Sequence, residues 1–186
     1  MLALAGNEVY IIHYSGLGMS KGSFTFTKSI IDTYDLVNLI NDKITIVGHS
    51  WGGFVALNVL RQFKNVEKLI LLSPFTNLPD NNFVKEFTDF VITNFNNELT
   101  HLQYEEVRDN IQELMKNYSL KDLFTSELGC KVKIFQAMND EVVLDKDTLS
   151  FVNNFTNHKP ELIFCEENHV FTKNRKLVLS NVLNSI

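Results

Sequence analysis

A serine hydroxyl becomes a nucleophile only when a base removes its proton and a third group orients that base. This chain carries a serine, a carboxylate and a histidine that fit those roles, in the order Ser50, Asp140, His169. Ser50 stands in Gly48-His49-Ser50-Trp51-Gly52-Gly53, a Gly-x-Ser-x-Gly pattern. The β-branched run Ile44–Val47 leads into it, and Phe54-Val55-Ala56-Leu57 leads out with a helical pattern. Strand, sharp turn and helix is the context in which this pattern forms a nucleophile elbow. Glycine at Gly48 and Gly52 is expected to make room for the close strand–helix approach. Ser50 Oγ would then stand exposed at the carboxyl end of a strand, facing a helix N-terminus whose dipole favours negative charge. The plainer alternative is a tight turn whose serine caps the helix that Trp51 begins.

The two partners fall at the ends of later strands. Asp140 follows the run Lys131–Ala137, and His169 follows Glu161–Cys165. Either residue alone would pass for an ordinary surface group, as Asp145 and Asp147 do. Of the five histidines, His13 lies in or at the end of an expected strand, His49 sits inside the elbow pointing away from the nucleophile, His101 lies in a helical stretch and His158 in a polar turn. Only His169 combines a place beyond the last strand with the required chain order. No His-x-x-x-His or Cys-x-x-Cys spacing occurs, so no metal site is expected.

The elements that position these residues alternate. After a short helical tail at Leu2–Ala5, a strand is expected at Glu8–Tyr14 and a Gly- and Ser-rich loop at Ser15–Phe26. A helix at Ser29–Asn41, the strand Ile44–Val47, the elbow helix to about Phe63 and a strand at Val66–Leu72 follow. From about Asn81 to Leu123 no strand pattern occurs. Phe83, Phe87, Phe90, Val91 and Phe95 form one helical stripe, and Tyr104, Val107, Ile111, Leu114, Met115 and Tyr118 another. Such stripes usually pack on a core. A helical cap with an apolar inner face is the functional alternative, because a site at strand ends needs a wall. The strand Lys131–Ala137, a helix Thr148–Phe155, the strand Glu161–Cys165 and a helix Thr172–Ile186 close the chain. The expected fold class is α/β: a mostly parallel sheet with helices on both faces. It forms one domain over residues 1–186, with a helical cap inserted at about 76–129.

Bulk properties narrow the partners. With 186 residues the chain can bury a sizeable core. The net charge of −5 and the lack of a basic cluster argue against nucleic acid and anionic membranes. No signal peptide and no transmembrane run is recognised, so a cytoplasmic protein is expected. Cys130 and Cys165 read as buried free thiols of a reducing compartment, with a disulfide as the alternative.

The chain resembles the α/β-hydrolase family, in particular its lysophospholipase, esterase and serine-aminopeptidase-like branch. The resemblance is carried by Tyr14-Ser15-Gly16-Leu17-Gly18-Met19-Ser20-Lys21-Gly22, similar to the loop after the family's fourth strand, and by the elbow Gly48–Gly53. Asn139-Asp140-Glu141-Val142-Val143 is similar to the acid loop, and Asn168-His169 to the histidine loop. The resemblance implies hydrolysis of a small-molecule acyl substrate through an acyl-enzyme on Ser50. His169 would be the general base, Asp140 its orienting group, and no cofactor would be needed. The Trp51 N–H would be one oxyanion donor, and Phe83, Phe87 and Phe90 would line the substrate pocket. An amidase, a peptidase, or a weakly active binding protein of the same fold are the alternatives.

One departure from the family is expected to matter. The family's third strand lies between its fourth and fifth and supplies the second oxyanion donor, and this chain begins too late to contain it. Three arrangements follow: a shortened chain, a shift of strand Glu8–Tyr14 into the vacant place beside Ile44–Val47, or a strand supplied by another chain. A homodimer is compatible with the last. The shift would bring Tyr14 and Ser15 to Ser50 as replacement donors.

Overall fold

Four runs rich in Val, Ile and Leu pair into one parallel sheet in a computed structural model that describes residues 3, 6–76, 81–95 and 103–186, with only the backbone of 81–83. The strands are β1 (Ile44–His49), β2 (Val66–Leu72), β3 (Lys131–Asn139) and β4 (Glu161–Asn168). They lie side by side in chain order. The helices are α1 (Phe26–Asn38), α2 (Trp51–Val59), α3 (Asn81–Asn94), α4 (Tyr104–Asn117), α5 (Asp145–Asn153) and α6 (Arg175–Leu183). The fold is the α/β-hydrolase type expected from the sequence.

Successive strand residues point to opposite faces, and the core divides accordingly. Leu69, Leu71, Val132 and Ile134 join a large cluster with Ile30 of α1, Phe54 and Leu57 of α2, and Phe151 and Val152 of α5. Ile70, Phe135 and Ala137 point the other way, onto Val178 and Val182 of α6. Helix α2 is buried at every position from Gly53 to Val59. This suits a helix apolar all round, wedged between the sheet and α1. Val84 and Val91 of α3 and Val107, Ile111 and Leu114 of α4 belong to the large cluster, so much of the two stripes serves the core.

Several boundaries move. Helix α1 begins at Phe26, because Thr25 Oγ1 accepts the Lys28 N–H at 3.0 Å and caps it. The helix at Leu2–Ala5 falls largely on residues outside those described. The strand Glu8–Tyr14 does not form. Residues 7–14 carry no strand assignment, and Val9, Tyr10 and Ile11 are 40%, 54% and 79% exposed. An apolar run makes a strand only where a neighbouring strand takes its hydrogen bonds, and among the described residues no strand does. Among the described residues β1 pairs with β2 alone, so the place beside it on its outer side stays open. Among the described residues no helix is long and apolar enough to cross a membrane.

Candidate active site

Ser50 links β1 to α2 with φ 53° and ψ −119°, a conformation that L residues rarely adopt. Its N–H donates to Leu72 O at 3.0 Å, and its carbonyl accepts from Phe75 N at 2.9 Å and Gly53 N at 3.0 Å. The end of β2 thus grips the turn from one side. At Gly48 a Cβ would lie 2.6 Å from Gly52 O, so the expected crowding is present there. At Gly52 the nearest atom to such a Cβ would be Tyr14 Oη at 3.9 Å, an ordinary van der Waals contact. The second crowded glycine is Gly53, whose Cβ would meet Pro74 Cβ at 2.6 Å. The elbow therefore needs Gly48 and Gly53, not Gly48 and Gly52, because it is the loop after β2 that closes on α2.

The structure brings the three chemical groups together. His169 Nε2 lies 3.0 Å from Ser50 Oγ, and His169 Nδ1 lies 2.8 Å from Asp140 Oδ2. The Asp140 side chain is wholly buried. Burial by itself raises its pKa. Hydrogen bonds from His169, the Val143 N–H, the Ser73 hydroxyl and the Val142 N–H outweigh it and hold the carboxyl below the ordinary carboxylate value. The Val142 and Val143 amides reach Oδ1 at 2.9 and 2.8 Å. Since Oδ1 is occupied in this way, Oδ2 is left for the imidazole.

Sequence reasoning missed the residues that fix this carboxylate. Ser73, at the end of β2, is fully buried with φ 38°. Its Oγ accepts from Ala137 N at 3.2 Å as well as serving Asp140. Gln136 is also fully buried; its amide donates to Val143 O at 3.0 Å and accepts from Thr148 Oγ1 at 2.6 Å. A glutamine inside an apolar strand was the signal available, since a buried amide must have partners. On the histidine side, the buried Glu167 carboxylate accepts from the Lys173 N–H at 2.9 Å and from the Asn174 N–H, closing the loop that carries His169.

The oxyanion expectations divide. Trp51 is the first residue of α2, where helix N–H groups have no partner within the helix. Its indole is held aside by a 2.9 Å bond to Ser29 Oγ. Ser15 is a correction: its N–H and its hydroxyl donate to Asp32 at 2.7 and 3.1 Å, so neither donor is available to a developing oxyanion. The Tyr14 hydroxyl lies near Gly52. Neither residue arrives by strand pairing, since that strand is absent. On the α3 side, the Phe87 ring packs against Phe26 at 5.4 Å, Phe75 at 5.2 Å and Trp51 at 6.4 Å, with Phe90 stacked behind it. The Phe83 side chain lies outside the described residues.

Residues 1–158 match the family model described as serine aminopeptidase, S33. The chain belongs to that family. The match includes the elbow and Asp140 but ends before His169, whose place rests on the geometry above. This S33-family chain also superposes on solved α/β hydrolases. A putative hydrolase from Agrobacterium vitis S4 is 20% identical with a TM-score of 0.67, over 93% of this chain and 74% of that one. Mouse alpha/beta hydrolase domain-containing protein 10 is 18% identical with a TM-score of 0.66, over 92% and 74%. Est1E from Butyrivibrio proteoclasticus is 18% identical with a TM-score of 0.61, over 88% and 70%. At these identities the likeness concerns the fold. Comparison with curated proteins gives no match.

Proposed function

We propose that this protein is a serine hydrolase that cleaves a carboxylic ester or thioester through an acyl-enzyme on Ser50. The observation that carries the reading is the continuous chain from Ser50 Oγ through His169 to Asp140, at 3.0 and 2.8 Å. His169 Nε2 takes the Ser50 proton as Oγ bonds to the acyl carbon, and the imidazolium then gives that proton to the departing alkoxide or thiolate. Water repeats the sequence with the acyl group and frees Ser50. Asp140 holds the imidazole with Nδ1 protonated and Nε2 ready to accept. The Trp51 N–H faces the developing oxyanion.

With the donors of Ser15 engaged by Asp32, Trp51 is the donor assigned among the described residues. Phe87 and Phe90 form the apolar wall for the acyl group, a role supported by the packing of Phe87 next to Trp51. The family's name favours a second reading, in which the same chemistry opens an amide at a peptide N-terminus.

Fluorophosphonate labelling tests the main reading. Wild type should be modified at Ser50, and Ser50→Ala should fold but remain unlabelled. A folded wild type that resists labelling would overturn the enzyme reading. Paired nitrophenyl esters and aminoacyl nitroanilides then separate esterase from aminopeptidase.

A further inference from the structure

We propose that His49 is a positioning residue, which ties the loop carrying His169 to the strand carrying Ser50 and so sets the distance between base and nucleophile. This rests on the reading of Ser50 and His169 given above. His49 is the last residue of β1, immediately before Ser50. Its Nε2 lies 2.7 Å from the backbone oxygen of His169. A carbonyl oxygen can only accept, so Nε2 carries the proton and donates. The ring also packs on the loop it holds: its centroid is 4.9 Å from that of His169 and 6.0 Å, edge-on, from that of Phe171.

The loop needs holding. Phe171 has φ 52°, strained for a bulky side chain, and such strain persists only where the surroundings impose it. The bonds from Lys173 and Asn174 to Glu167, and those between Asn168 and Thr172, fasten the loop to itself. They do not reach β1, and the connection from His169 to Ser50 otherwise runs through β4, β3 and β2 or through the Asp140 and Ser50 side chains themselves. The His49 bond spans that interval without passing through the reacting atoms. His49 is exposed as a residue, but partial desolvation of its ring lowers its pKa, opposed by the bond to the His169 carbonyl and assisted by the charge His169 would carry. A neutral neighbour is what an adjacent imidazolium requires. Mere packing is the competing account, and it makes no use of the N–H.

The test compares His49→Phe, which keeps a ring and loses the donor, with His49→Gln, whose side-chain amide can replace Nε2–H. Both are read by rate of fluorophosphonate labelling, by kcat and KM on the best ester, and by Tm. His49→Phe should lose roughly tenfold to a hundredfold in labelling rate and kcat, because a small misplacement of the base costs that much. KM should stay within about twofold, as for an interaction that acts on the transition state. His49→Gln should recover most of the loss. A His49→Phe variant that labels and turns over like wild type overturns the proposal, as does a His49→Gln variant as slow as a well-folded His49→Phe. If His49→Phe does not fold, histidine ¹⁵N NMR of the wild type decides. A protonated Nε2 on His49 with slowed exchange supports the tie, and an Nδ1–H tautomer refutes it. A wild type that never labels removes the underlying enzyme reading as well. A wild type that labels beside indifferent variants removes the tie alone.

Discussion

Replacing the two adjacent glycines of the elbow one at a time separates steric need from sequence pattern. Both Gly52 and Gly53 lie in the first turn of α2, so an alanine at either gains a similar helix-propensity term, up to about 1 kcal/mol. That term cancels when the two variants are compared, leaving the contact made by the added methyl. At Gly53 it would sit 2.6 Å from Pro74 Cβ and 2.8 Å from Pro74 Cα. The second of these is backbone and cannot rotate away, and overpacking of this kind costs about 1–3 kcal/mol. At Gly52 nothing approaches closer than 3.9 Å. Gly53→Ala should therefore be less stable than Gly52→Ala by about 1–3 kcal/mol. For a chain of this size that is a gap of about 2–12 °C in Tm. Thermal unfolding followed by circular dichroism measures it. Equal melting temperatures, or Gly52→Ala as the weaker variant, would refute the account of how the elbow closes.

Asp140 is held below the ordinary carboxylate value, so the folded chain resists protonating it more than the unfolded chain does. The stability it supplies is complete above the unfolded value of about 3.9 and drains away as pH falls through the lower folded one. Asp140→Asn should consequently show a shallower loss of Tm than wild type between about pH 5 and pH 2.5, and parallel curves would show that the carboxylate contributes nothing. Burial pushes the Cys130 thiol up to about 11. At pH 8 its thiolate fraction is then roughly one in a thousand. Iodoacetamide should leave Cys130 unmodified in the folded protein while alkylating it in urea; alkylation of the folded protein at the rate of a simple thiol would contradict this.

The residues of the proposed triad were legible because chemistry constrains type and order together. Ser50 announced itself through its flanking strand and helix, and Asp140 and His169 through their places after later strands. All three meet at hydrogen-bonding distance. Residues 8–14 misled for the opposite reason. Their apolar content suits a strand, but strand formation depends on a partner elsewhere in the chain, which a local pattern does not encode. Ser15 misled similarly, because its donors are claimed by Asp32, 17 residues away on α1. The Gly-x-Ser-x-Gly pattern pointed to Gly52, whereas Pro74, across the β2 turn, puts the steric need on Gly53. Ser73 and His49 were invisible as supports because their roles depend on backbone direction: a positive φ at Ser73, and a ring aimed at the carbonyl of His169.

Among the described residues, β1, which leads into Ser50, has a partner strand on one side only, where β2 lies. The backbone bonds that reach Ser50 from another element come from Leu72 and Phe75, at and just beyond the end of β2. Among the described residues, these bonds fasten the proposed nucleophile to one neighbouring strand end. Alterations at 72–75 will move Ser50 itself, so for anyone redesigning this chain the working tolerance of the site is set after β2.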